Sequence, residues 1–111
     1  MTELNAEDSK IITLARSSRA RGGTAEGAAV RDETGRTYAA TDVGLPSLRL
    51  SALQVAVAMA VSSGAESLEA AALVTAEEAV RDDDLAAVRD LGPKAPLHLA
   101  APDGTLRTSL T

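Results

Sequence analysis

Apolar residues recur along this chain at two spacings, helical in some segments and strand-like in others, which predicts alternating helices and strands. The first helical pattern runs over Ile11, Ile12, Leu14 and Ala15. We expect Asp8 or Ser9 to cap this helix, the preceding residues 1–5 to be a frayed end, and Gly22-Gly23 to terminate the helix.

A β-hairpin follows this helix. Ala25 to Arg31 and Arg36 to Thr41 are the predicted strands, and Asp32 to Gly35 form the turn between them. Gly35 stands at the turn position that tolerates a positive φ. The segment therefore predicts two antiparallel strands that lie next to each other in a sheet.

The second predicted helix runs from about Ser47 to Ser63 and ends at Gly64. Pro46 and Ser47 open it, because a proline in the first helical turn loses no hydrogen bond. From Ala52 onward the helix is apolar nearly all round, which predicts that a sheet, neighbouring elements or another subunit bury it on several sides.

The last part of the chain predicts strand, helix and two strands. The Ala-rich third strand goes against helix propensity, so its assignment rests partly on the resemblance described below. The last helix carries Leu85, Val88 and Leu91 on one face and ends at Gly92-Pro93. The predicted elements are a strand over Glu69 to Ala76, a helix after Asp82 to Asp84, and strands over Leu97 to Ala100 and Thr105 to Leu110 around the turn at residues 102–104.

Composition narrows the function classes. The 111 residues suit a single domain spanning 1–111, and Tyr38 is the one aromatic residue. The net charge of −5 argues against nucleic acid or an anionic membrane as partner. There is no cysteine, which excludes disulfides and thiolate ligands, and no apolar run long enough for a membrane span. The cytoplasm is the expected location.

The hairpin and the core helix together resemble the cytidine deaminase family. Residues 27–30 (GAAV), then Gly35, Tyr38 and residues 42–43 (DV) match a family stretch without gaps. Ala15-Arg16, Ala56 and residues 61–64 (VSSG) match on either side. The resemblance implies a three-layer α-β-α sandwich with a mixed five-stranded sheet, in the order αββαβαββ.

The same resemblance implies a zinc site that this chain does not carry. In the family, zinc lowers the pKa of a bound water and a Glu moves protons. The first ligand and that Glu would align with Ser51 and Leu53, on either side of Ala52, and the other two ligands with Asp82 and Leu85. None of these residues is Cys, His or Glu, so we expect no catalytic residue, no metal ligand and no cofactor.

The family's ribose contacts are altered as well. They align with Asp42, which still offers an acceptor to a hydroxyl, and with Gly44, which offers none. Thr24 and Ala25 stand where the family has a Phe that lines the base pocket. Asp42 is thus the one substrate-binding residue that the resemblance retains.

Other polar residues have structural interpretations. His98 lies between Leu97 and Leu99 in a strand, and we expect it to face solvent or to satisfy a local bond. Asp82 to Asp84 suit the start of a helix better than a cation site. Arg16, Arg19 and Arg21 suit a helix C-terminus better than a phosphate site.

We therefore expect a catalytically inactive relative of cytidine deaminase that acts as an oligomeric binding or scaffolding protein. The resemblance implies a homo-oligomer, either a dimer or a tetramer. It leaves open whether the chain still binds a nucleoside. The alternative is an active deaminase, or another hydrolase, with a non-standard site in which residues such as Asp42, Asp82 or His98 converge around a pocket.

Overall fold

The computed structural model describes residues 4–111, which form three helices, a five-stranded sheet and a separate two-stranded ribbon. The helices are α1 (Ala6–Gly22), α2 (Ala52–Ser62) and α3 (Asp82–Leu91). The strands are β1 (Glu26–Asp32), β2 (Thr37–Thr41), β3 (Val43–Leu45), β4 (Leu48–Leu50), β5 (Leu68–Thr75), β6 (Leu97–Ala100) and β7 (Leu106–Leu110). The predicted order αββαβαββ is confirmed once the β3–β4 ribbon is set aside.

The sheet is mixed, with strand order β2-β1-β5-β6-β7. β1 is antiparallel to β2 and β5, β5 is parallel to β6, and β7 is antiparallel to β6. The crossover between the parallel strands β5 and β6 contains α3, as parallel strands require.

Small apolar residues cover both faces of the two central strands. On one face, Ala29, Ala70 and Ala72 contact Ile11 and other residues of α1. On the other face, the larger core packs residues of α2 and α3 against the sheet; its largest fully buried members there include Leu53, Leu73 and Val88. β5 is a strand despite its alanines because helices bury it on both sides, where local propensity counts for little.

The start of α1 differs from the prediction. Asn5, rather than Asp8 or Ser9, caps the helix, and its Oδ1 accepts a hydrogen bond of 2.7 Å from the backbone N–H of Asp8. The helix therefore begins a turn earlier, and the carboxylate of Asp8 is free for tertiary contacts. Of the expected frayed end, residues 1–3 lie outside the described residues.

The start of α2 also differs. Residues 43–50 form the β3–β4 ribbon, in which Leu45 pairs with Leu48 across Pro46 and Ser47. Proline suits the first central position of a tight turn as well as it suits a helix start, and here the turn prevails. The helix begins at Ala52, and only part of its surface is buried, since Met59 and Val61 are 39% and 53% exposed.

Among residues 4–111, no helix combines the length and the apolar character that crossing a membrane would need.

Candidate functional site

The candidate site lies where the starts of α2 and α3 meet the first residue of β1. Ser51 caps α2 through a capping box: its Oγ accepts from the N–H of Gln54 at 3.1 Å, and the side chain of Gln54 accepts from the N–H of Ser51 at 2.9 Å. This reciprocal pair fixes the side chain of Ser51 at the helix start.

The hydroxyl of Ser51 also joins the two helices. It donates a 2.6 Å hydrogen bond to Oδ1 of Asp84, which lies in the first turn of α3 and is 1% exposed. A hydroxyl bound to a buried carboxylate is a short, charge-assisted contact. The helix starts that the resemblance assigns to zinc are therefore joined by a direct hydrogen bond.

Glu26 supplies a second carboxylate from β1. Its side chain is 8% exposed, and its Oε1 accepts from the N–H of Ala52 at 3.2 Å. A carboxylate at this place satisfies an otherwise free donor of the helix and interacts favourably with the helix dipole. Glu26 thus ties the first residue of the inner strand β1 to the start of α2.

Arg81 brings the positive charge to these two carboxylates. Its Nη2 lies 3.1 Å from Oε2 of Glu26 and 3.2 Å from Oδ2 of Asp84. Burial alone would lower the pKa of Arg81, but the charges of Asp84 and Glu26 raise it above its usual value. The guanidinium therefore stays charged between them.

We call Glu26, Ser51, Arg81 and Asp84 the ionic cluster. It holds two buried carboxylates and one guanidinium, so its formal charge is negative. Oδ2 of Asp84 is buried and, although near Arg81, has no aligned hydrogen bond. The cluster is therefore more acidic than a balanced ion pair.

An open cleft of about 480 Å³ borders the ionic cluster. Its volume is within the range of small-molecule sites. Asp42 lines it and uses Oδ1 to accept from the N–H of Glu26 at 2.9 Å. Three arginines from separate elements also line the cleft: Arg19, Arg49 and Arg81.

The other positions that the resemblance singled out are spread around this cleft. Gly44 lines it, on strand β3. Leu53 is fully buried in the core, and Leu85 packs partly buried against the same core. Asp82 is exposed at the start of α3 and is not among the residues that line the cleft. Among the three aspartates there, Asp84 is the one that reaches Ser51.

His98 lies on the opposite face of the sheet, beneath α1. It is 3% exposed, so of the two expected alternatives it does not face solvent, and its ring nitrogens are instead satisfied by hydrogen bonds. Its Nε2 lies 2.8 Å from Oδ2 of Asp8, and its Nδ1 lies 2.7 Å from Oγ of Ser109. Asp8 in turn pairs with Arg31, which pairs with Glu69. His98 is held by this buried network and does not line the cleft that Asp42 lines.

The alternative of a non-standard enzyme site therefore gains no support from the placement of its residues. It required Asp42, Asp82 and His98, or some of them, to converge around a pocket. Asp42 alone lines the cleft, while Asp82 is exposed and His98 is across the sheet.

Glu26 and Arg81 are site residues that the sequence did not reveal. Glu26 directly precedes the small apolar run from Gly27 to Val30, and this is the one signal that could have marked it. Arg81 precedes three aspartates, and this sequence pattern is typical of a charged loop. Their pairing spans 55 residues, and no local pattern predicts a contact of that range.

The donor set of the ionic cluster does not fit the zinc that the resemblance implies. Zinc in proteins takes thiolates, imidazoles and carboxylates in a compact tetrahedral arrangement. Here the hydroxyl of Ser51 is used by Asp84, and a guanidinium lies between the two carboxylates. Over residues 4–111, no three His, Cys, Asp or Glu residues are grouped so that they could hold a metal ion.

Comparisons with known proteins agree on one fold. The family model described as cytidine deaminase-like matches residues 4–104. A cytidine deaminase from Burkholderia pseudomallei superposes with a TM-score of 0.81 at 19% identity, over 97% of this chain and 93% of the other. A cytidine deaminase from Mycobacterium leprae superposes with a TM-score of 0.67 at 19% identity, over 92% of each chain. No curated protein sequence matches the chain.

Proposed function

The chain belongs to the cytidine deaminase-like family, and we propose that it is a member that binds a small polar ligand in its cleft without zinc-dependent deamination. Nucleosides are the first ligand class to test. The observation that carries the proposal is that the cleft beside Asp42 and Ser51 is open while the adjoining helix starts are occupied by the ionic cluster.

We expect no deamination because of the chemistry of those helix starts. Deamination in this family needs a metal-activated water and a proton-shuttling Glu. The position aligned with that Glu holds Leu53, which is buried in the core and carries no titratable group. Ser51 offers a hydroxyl that is already bonded on both sides. Neither residue supplies a proton carrier to the cleft.

Ligand binding is supported by the polar groups that remain around the cleft. Asp42 uses one carboxylate oxygen for the backbone of Glu26, which fixes the orientation of the side chain. Its second oxygen is an acceptor for a ligand hydroxyl, and Arg49 and Arg19 supply donors nearby. A cleft with a few fixed polar groups is the usual form of a small-molecule site.

Thermal shift against a panel of nucleosides tests the binding. A nucleoside present at about 100 times its Kd stabilises the folded protein by roughly 2.7 kcal/mol. Gly44 lines the cleft, and a Cβ there meets no atom within 4 Å, so Gly44→Leu narrows the cleft without strain. We expect Gly44→Leu to abolish the shift and Gly44→Ala to retain it. No shift with any nucleoside in the wild type would refute nucleoside binding.

Zinc analysis with a cytidine deamination assay tests the absence of catalysis. We expect substoichiometric zinc and no turnover in the wild-type protein, whether or not zinc is added. Stoichiometric zinc together with turnover would overturn this part of the proposal.

We also propose that the chain assembles with further copies of itself. Met59 and Val61 of α2 are exposed, as are Leu45 and Leu48 of the β3–β4 ribbon. Contiguous apolar patches on a protein surface mark sites of association, and these two pairs are our candidates for such a patch. The mass of the protein in solution tests the proposal, and a strict monomer would refute it.

A further inference from the structure

We propose that the guanidinium of Arg81 is a built-in cation that occupies a cation-binding site formed by Glu26 and Asp84, and that this internal ion pair replaces the metal in holding the two helix starts together. The proposal concerns the chain's own residues and does not depend on whether the cleft binds a nucleoside.

The first argument is the geometry of the two carboxylates. Glu26 comes from β1 and Asp84 from α3, and their side chains are 8% and 2% exposed. Two buried carboxylates at one place repel each other and lose hydration, so they need a shared cation. A single nitrogen of Arg81 lies within 3.2 Å of both carboxylates.

The second argument is how the cluster is connected to the rest of the fold. Glu26 accepts from the N–H of Ala52, and Asp84 accepts from the hydroxyl of Ser51. Both residues that start α2 are therefore bound to a carboxylate that Arg81 contacts. Loss of the guanidinium would leave these carboxylates to repel each other across the junction of β1, α2 and α3.

The third argument is that the site takes its cation from the solvent side. Oδ2 of Asp84 is buried, and its charged partner is Nη2 of Arg81 at 3.2 Å. The side chain of Arg81 is 58% exposed, so the cation reaches the site from the solvent side. An external guanidinium could enter by the same route once the side chain is removed.

Chemical rescue tests the proposal. We expect Arg81→Ala to lower the Tm by roughly 10 °C or more, because removing one partner leaves buried charge unpaired. Guanidinium chloride, at concentrations far below those that unfold proteins, should raise the Tm of Arg81→Ala and lower that of the wild type slightly. Sodium chloride at equal ionic strength controls for screening.

Arg49→Ala is the matched control variant. Arg49 lines the same cleft, and within residues 4–111 it forms no ion pair. We expect its Tm to stay close to that of the wild type and to show no guanidinium rescue. The proposal fails if Arg81→Ala is no less stable than Arg49→Ala, or if its loss of stability does not respond to guanidinium.

A second variant keeps the test informative if Arg81→Ala does not fold. Glu26→Gln removes one of the two carboxylate charges, so we expect it to destabilise the wild type and to stabilise the Arg81→Ala background. Recovery of folding in the double variant supports the internal cation. A double variant that is additive, or worse than either single variant, overturns it.

Discussion

At Gly27 the sheet and α1 are in close contact. A Cβ at this position would lie 2.0 Å from the carbonyl oxygen of Ala15 and 2.9 Å from the Cβ of Arg19. Both neighbours are helix backbone or its first side-chain atom, so neither can move aside without shifting α1. Contact this close lets the small residues of β1 pack tightly against the helix.

Gly27→Ala therefore should destabilise the protein by roughly 3 kcal/mol, the cost of overpacking where the backbone must move. Gly44→Ala is the matched control, because its new Cβ meets no atom within 4 Å. Urea unfolding of both variants measures the difference. Equal stabilities would show that α1 adjusts to the added methyl group.

Asp32 shows how a turn residue acquires a pH-dependent role. Burial alone would raise its pKa, but hydrogen bonds to its carboxylate outweigh that and lower the pKa to about 2, from an ordinary 3.8. The donors are the hydroxyl and N–H of Thr34, the hydroxyl of Tyr38 and the N–H of Arg36. The ionised form therefore stabilises the hairpin between β1 and β2.

The sign of the pH dependence follows from the lowered pKa. The stabilisation is present above the unfolded-state pKa, near 4, and is lost as the pH falls toward 2. We expect Asp32→Asn to be less stable than the wild type by about 1–3 kcal/mol at neutral pH. This difference should shrink below pH 4, as measured by unfolding at a series of pH values. Asp90→Asn, at an exposed position of α3, serves as the control, and a pH-independent gap would contradict the prediction.

At the scale of secondary-structure elements, Ser51 has two hydrogen-bonding roles that usually belong to separate residues. It caps α2, and its hydroxyl also holds Asp84 of α3. Ser51→Ala should cost about 1 kcal/mol for the cap and a similar amount for the lost bond to a buried carboxylate. Ser47→Ala, in the exposed turn of the β3–β4 ribbon, is the matched control for the same chemical change.

A double variant separates the two tasks of Ser51. In an Asp84→Asn background, the acceptor is neutral, so we expect Ser51→Ala to cost less than it does in the wild type. Equal costs in both backgrounds would mean that capping alone accounts for the effect. Urea unfolding of the four proteins gives the coupling free energy.

The sequence predicts the elements whose signals are local and unambiguous. The β1–β2 hairpin has a turn with Gly35, which adopts a φ of 89°, and α3 has one apolar face and a Gly stop. The predicted start of α2 at Ser47 was wrong because Pro46 and Ser47 fit a turn and a helix start equally well. Ser51 and Gln54 have the spacing of a capping box. This spacing is the sequence signal that identifies the observed first turn of α2.

The ionic cluster could not be predicted because its members come from three distant segments. Glu26, Ser51 and Asp84 each have an ordinary local explanation: a strand end, a helix cap and an acidic first turn. Only the topology, with β1 beside β5 and α2 packed on α3, brings them together. The resemblance points to the starts of α2 and α3, and the ionic cluster lies there.

For the molecule as a whole, the outer side of α2 is an exposed apolar surface. The outer side of α2 exposes Val61 and Met59, although the helix was expected to be buried on several sides. The buried side carries Leu53, Ala56 and Ala60, so the sheet accounts for only part of the helix's apolar surface. A second copy of the chain would cover the rest.

Val61→Glu therefore should dissociate the assembly without unfolding the chain. A carboxylate there is harmless in a monomer, where the side chain faces water, but costly when a partner desolvates it. We expect light scattering to give a multiple of the chain mass for the wild type and the single-chain mass for Val61→Glu, with the same far-ultraviolet circular dichroism. Thr108→Glu adds the same charge on the exposed edge strand β7 and should leave the assembly intact. If both variants keep the wild-type mass, the copies meet through another surface.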